Sequence, residues 1–119
     1  MGKGRKAPYY TLTQPKEGNF VFTLNTTHGL VLLTSPDFTE KARALSRINA
    51  VRSAARKLAD FETLTSGAGQ FYFILRNTRK TEILGTSEMY WTEEGVATAI
   101  ALVKAHARTA KLEDLTEAA

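Results

Sequence analysis

The sequence predicts an α+β domain, a single and mostly antiparallel sheet with two helices on one face. Three observations predict it. A strand alternating aromatic and aliphatic residues, a second short apolar strand and a helical stripe occur in that order twice, once from Phe20 and once from Phe71. The two passes are in step: Thr34, Phe38, Ile48 and Val51 recur 52 positions later as Thr86, Tyr90, Ile100 and Val103. Each pass alone is about 50 residues, near the lower bound for an independent core, so two passes are expected to close over one interior.

Residues 9–13 (Tyr-Tyr-Thr-Leu-Thr) are β-branched and aromatic, and Pro15 with Gly18 reads as the turn that ends this strand. Phe20, Phe22 and Leu24 alternate with Val21 and Thr23, so the first set faces the core. Asn25-Thr26-Thr27-His28-Gly29 is turn chemistry, and Leu30 to Ser35 returns as the hairpin partner until Pro36 stops it. Thr39 is the expected N-cap of a helix running to Leu58. Its stripe is Ala44, Ile48, Val51, Ala55 and Leu58 at steps of 4, 3, 4 and 3.

The second pass opens with Phe61 to Thr65, where Thr63-Leu64-Thr65 matches Thr11-Leu12-Thr13. Gln70 to Arg76 and Thr81 to Ser87 form its hairpin around Asn77-Thr78-Arg79-Lys80. Thr92 caps the second helix, with Glu93 and Glu94 suited to its positive end and Val96, Ile100, Val103 and Ala107 as its stripe. A short last strand is expected at Leu112 to Thr116. The domain plan is a basic flexible lead-in at 1–8, one domain at 9–116 made of two halves (about 9–60 and 61–116), and a tail at 117–119.

At its two hairpin-plus-helix stretches the chain resembles the YegP-like family of small bacterial domains of unknown function. The residues that carry the resemblance are the strands Phe20-Val21-Phe22-Thr23-Leu24 and Phe71-Tyr72-Phe73-Ile74-Leu75. With them go Ser35 with Phe38, Ser87 with Tyr90, Ile48 with Val51, and Ile100 with Val103. The resemblance spans residues 9–116 and implies two tandem β-β-β-α-β repeats that exchange their C-terminal strands. It implies no activity, cofactor or catalytic residue. The chain departs from the family pattern where Asn77-Thr78-Arg79-Lys80 lacks the glycine present at Gly29, and where the helical asparagine step survives only as Asn49.

The 119 residues carry 16 basic against 12 acidic side chains, a net charge of +4, with 43% hydrophobic content and no cysteine. Disulfides and thiolate ligation are thereby excluded, and a reducing cytoplasm is the expected location. No apolar run reaches the length of a membrane span, and no apolar segment follows the basic N-terminus as a secretory signal requires.

His28 and His106 stand far apart without further convergent ligands, so neither a metal nor an acid–base site is expected. Ser35 and Ser87 lack the flanks of a nucleophile and instead suggest a hydrogen bond at each strand-to-helix corner. Ser66-Gly67-Ala68-Gly69-Gln70 precedes a hairpin rather than a helix, so it is a turn and not a phosphate loop.

Two surfaces remain. Lys41, Arg43, Arg47, Arg52, Arg56 and Lys57 give the first helix a basic outer side, either a solvated face or, with Lys3, Arg5 and Lys6, a track for a nucleic-acid backbone. The open sheet face is expected to show Tyr9, Thr11, Thr13, Val21, Thr23, Thr63, Thr65, Tyr72 and Ile74, a candidate surface for a protein partner or a second copy, or for bases stacked on Tyr72 and Tyr9. Trp91 is read as a plug over the sheet end; exposed, it would mark a contact site. The expected function is a non-enzymatic interaction module using the open sheet face, with weak nucleic-acid binding by the basic helix as the alternative. No cofactor and no membrane partner is expected.

Overall fold

The computed structural model describes residues 7–16 and 18–116. The basic lead-in residues Lys3, Arg5 and Lys6, and the tail at 117–119, lie outside them. Seven strands and two helices follow in the order β1 (Tyr9–Lys16), β2 (Asn19–Asn25), β3 (Val31–Thr34), α1 (Lys41–Ala54), β4 (Phe61–Thr65), β5 (Phe71–Arg76), β6 (Ile83–Thr86), α2 (Glu93–His106) and β7 (Lys111–Asp114). They form one sheet in the order β4-β5-β6-β3-β2-β1-β7, antiparallel throughout except where β7 runs parallel to β1. Two helices with one mixed sheet is the expected α+β class. β7, which follows α2, crosses to pair with β1, whereas β4, which follows α1, pairs with β5 and forms the other edge of the sheet.

The core lies between sheet and helices. Phe22, Leu24, Phe73 and Leu75 alternate onto one face beside Tyr10 and Leu12, and meet Ala44, Ile48, Val51, Val96, Ile100 and Val103. A bulge in each half enlarges the apolar floor. Leu24 opposes Leu33 while Asn25 opposes Val31, and Leu75 opposes Gly85 while Arg76 opposes Ile83, so one residue is skipped in each partner strand. The skipped residues, Leu32 and Leu84, are both buried in the core.

Several expected boundaries move. β1 runs through Pro15 to Lys16, because its register shifts between Thr13 and Lys16 and β7 pairs only with Tyr9 to Leu12, so the ladder needs no N–H there. The first helix starts at Lys41 with Glu40 at its N-cap and no side-chain cap, which displaces Thr39. It ends at Ala54, leaving Leu58 63% exposed in a short 3-10 turn, Leu58–Asp60. Thr92 does cap α2, accepting from Gly95 N at 3.0 Å. The match of Thr63-Leu64-Thr65 to Thr11-Leu12-Thr13 does not hold. Leu12 opposes Phe22, but Leu64 opposes Tyr72, so Thr63 and Thr65 share the helix side with Phe73 and Phe71. A one-residue slip reverses the face of every side chain. Phe61, not Leu64, does what Tyr10 does: it packs edge-on to Phe73 at 5.6 Å, as Tyr10 does to Phe22 at 6.4 Å.

Candidate functional site: an apolar corner and a braced basic helix

Two strand-to-helix corners are built alike. Phe38 and Phe20 exchange backbone hydrogen bonds of 2.6 and 2.9 Å, and Tyr90 and Phe71 exchange bonds of 2.7 and 2.8 Å. Ser35 Oγ accepts from Phe22 N and donates to Pro36 O; Ser87 Oγ accepts from Phe73 N and donates to Glu88 O. Both serines are buried structural elements, as their sequence context suggested. The hairpin turns correspond too. Gly29 N donates to Thr26 O, and Lys80 N donates to Asn77 O, each residue at positive φ. Lys80 thus fills the place of the missing glycine. Its Nζ reaches Asp60 Oδ1 and Ala59 O, both at 2.8 Å.

The outer residues of the two corners differ. One carries Asp37 and Thr39; the other carries Met89 and Trp91. Trp91 is 76% exposed and Met89 46%, so Trp91 does not plug the sheet end. Leu30, 69% exposed, stands next to Glu88 and Tyr90, the chain neighbours of Met89. Gly29, Leu30, Val31, Glu88 and Tyr90 line a cleft of about 340 Å³ beside it. Burial and the neighbouring Glu88 carboxylate both push the Tyr90 phenol above its ordinary pKa. In the sequence, Met89 and Trp91 differ from their counterparts Asp37 and Thr39, whereas no sequence signal marks Leu30.

The basic side of α1 is largely engaged within the chain. Lys41 Nζ meets Asp114 Oδ2 at 2.7 Å, Arg47 Nη2 meets Glu82 Oε2 at 2.6 Å, and Arg43 lies 3.9 Å from Glu40. Hydrogen bonds from Lys41 and Thr116 hold the Asp114 carboxyl down to about 2. Arg52 Nη1 donates toward the carbonyls of Ala107, Arg108 and Ala110 at 3.3, 3.0 and 2.8 Å, and its guanidinium lies 4.8 Å from the Tyr10 ring centre. Tyr10 OH donates to Ala107 O at 2.7 Å. Arg56 and Lys57 are exposed, and among the described residues their side chains have no partner. The structure therefore does not bring the six cations together as one free surface.

On the open sheet face, Tyr9, Thr11, Val21, Thr23 and Tyr72 are half-buried, and Thr11 Oγ1 lies 2.6 Å from Thr23 Oγ1. Ile74 faces that side between Glu62 and Thr86 but is only 5% exposed, which removes it as a contact residue. His28 sits in the β2–β3 turn and His106 ends α2. Among the described residues no group of three or more His, Asp or Glu side chains is placed to hold a metal ion. No helix among them is long and apolar enough to cross a membrane.

A family model described as a domain of unknown function, DUF1508, matches residues 66–114. The chain is 34% identical over 110 residues to the UPF0339 protein YegP of Escherichia coli strain K12, covering 92% of this chain and 99% of that protein. The solution NMR structure of the E. coli yegP protein, itself of unknown function, superposes with a TM-score of 0.87 at 33% identity, covering 95% of this chain and 97% of that one. The solution NMR structure of UPF0339 protein SO3888 from Shewanella oneidensis gives a TM-score of 0.86 at 28% identity, with 92% of each chain covered. With its sheet, helices and nearly its full length shared with these proteins, the chain belongs to the UPF0339 (YegP) family, whose function is unknown.

Proposed function

We propose that this protein is a binding module for another protein rather than an enzyme, and that its contact surface is the corner of Leu30, Met89 and Trp91 beside the Tyr90 cleft. One observation carries the reading: Trp91 is 76% exposed at a corner that its counterpart builds with Thr39. The same backbone bonds form with Asp37 and Thr39 in place of Met89 and Trp91. Folding therefore does not require the apolar pair, and a large aromatic held in water is the usual anchor of a contact. The open sheet face is the weaker candidate, because Thr11 and Thr23 bond each other there and Ile74 is covered.

The partner's chemistry follows from the rim. Glu88, Glu93 and Glu94 are all exposed around the corner. A twofold contact between copies would bring these carboxylates together, which is unfavourable. A different chain presenting an apolar anchor flanked by lysine or arginine fits better.

Trp91 is the chain's only tryptophan, so its fluorescence reports on this corner directly. Titration with a short peptide bearing one leucine or phenylalanine between lysines should shift the emission to the blue and saturate; the same peptide with glutamates should not. Trp91→Thr should leave stability within about 0.5 kcal/mol of the parent, and Met89→Asp with Leu30→Glu should abolish the peptide response. A parent chain blind to both peptides would sink the reading. So would a blue shift driven by protein concentration alone, with doubled mass, in favour of self-association.

A further inference from the structure

Arg56 and Lys57 stand out from the other basic residues near α1. Lys41, Arg43, Arg47 and Arg52 each have an acidic or carbonyl partner within the chain. Arg56 and Lys57 have none among the described residues, are adjacent, and both line one cleft with Ser53 and Thr78. The cleft is an open groove of about 410 Å³ between the end of α1 and the β5–β6 turn.

Two features would oppose an anion there, and both are offset. Asp60 accepts from Thr78 Oγ1 at 3.4 Å, but Lys80 Nζ neutralises it at 2.8 Å. The carbonyls at the end of α1 carry partial negative charge, but Lys104 Nζ donates to Arg56 O at 3.2 Å. Arg79 is exposed in the same turn as Thr78, outside the cleft lining. The wall is also built in advance. Asn77 Oδ1 accepts from Thr81 N and Glu82 N at 2.8 and 3.1 Å, fixing the turn that carries Thr78.

We infer that this cleft binds a phosphate-bearing small molecule. Arg56 and Lys57 supply the charge, the Ser53 hydroxyl supplies a neutral donor, and the remaining space takes the body of the ligand. A cleft of about 410 Å³ falls in the size range of small-molecule sites and exceeds what phosphate alone fills. The arrangement is too local for a nucleic-acid track, since the cations further along α1 are already engaged.

The test is an amide NMR titration at constant ionic strength, with inorganic phosphate and then ribose 5-phosphate as probes. Saturable shifts should cluster on Ser53, Arg56, Lys57 and Thr78, with the sugar phosphate binding several-fold more tightly than phosphate. Arg56→Gln with Lys57→Gln should weaken both by about tenfold or more, whereas Arg43→Gln should change neither. Both changed side chains are exposed, and the unperturbed remainder of the spectrum verifies the fold. Shifts that stay linear to tens of millimolar phosphate, or that spread evenly over all basic residues, would overturn the inference. So would a DNA oligonucleotide bound with a salt dependence of several phosphates and weakened as much by Arg43→Gln as by Arg56→Gln, which would instead establish a backbone track.

Discussion

Gly85 shows how narrowly a single position is specified. A Cβ added to it would lie 2.5 Å from Leu33 Cγ and 2.9 Å from Leu33 Cδ2, where β6 lies against β3 on the core side. Only one residue pair, Thr34 with Thr86, joins these two strands, and beside it Leu33 packs over Gly85. Gly85→Ala is expected to cost about 1–3 kcal/mol in urea unfolding, as overpacking does. Combined with Leu33→Ala, which opens the space, the two changes should cost at least about 1 kcal/mol less than their sum. Strict additivity would show that Leu33 is not the obstacle. Lys80 is the opposite case: a non-glycine residue at φ 62, tethered by Asp60 and Ala59. Sequence shows the missing glycine, but not that a lysine can occupy its conformation, because the tether comes from a segment 20 residues earlier.

At the scale of elements, α1 is fastened to three segments of the second half. Arg47 reaches Glu82 before β6, Lys41 reaches Asp114 at the end of β7, and Arg52 reaches the carbonyls that follow α2. A cation at a helix C-terminus that also stacks on a buried tyrosine is worth more than an exposed ion pair. Arg52→Ala should therefore lower unfolding free energy by about 2 kcal/mol with an unchanged denaturant slope, and Arg52→Lys should recover less than half of it. Full recovery by lysine would reduce the role to charge alone. The strands and helix stripes were legible in the sequence because alternation and the 3.6-residue period are local signals, as Phe20-Phe22-Leu24 and Ala44-Ile48-Val51 illustrate. The partners of Arg52 were not, since they lie 55 to 58 residues away. Alternation assigns Ile74 its face but not its 5% exposure, because it says nothing of what covers that face. Trp91 was misread for the same reason: a strand-to-helix corner looks alike in sequence whether its bulky residue turns inward or out.

For the whole molecule, alkaline pH should be a sensitive probe of closure. Burial raises the Tyr10 phenol far above its ordinary pKa of 10.0, against the opposing pull of Arg52. The folded chain therefore keeps this proton while the unfolded chain releases it. The contribution is intact below about pH 10 and is lost as pH rises above it, by up to about 1.4 kcal/mol per pH unit. Tyr10→Phe should flatten the alkaline limb by that slope, although it sacrifices the bond to Ala107 O and lowers stability at neutral pH. An unchanged limb in the variant would mean that Tyr10 ionises as easily in the folded chain as in the unfolded one. Because β1, α1 and the end of α2 meet at this one phenol, the measurement reads both halves at once.

The parallel pairing of β7 with β1 has a kinetic consequence. During synthesis the first half can form its hairpin and helix early, but the outer edge of β1 stays open until residues 111–114 have left the ribosome. In that interval Tyr9 to Leu12 present unpaired backbone to any neighbouring nascent chain, the circumstance in which strands join the wrong partner. A chain lacking residues 111–114 should therefore aggregate more readily than the full chain, and supplying those residues as a separate peptide should reduce the difference.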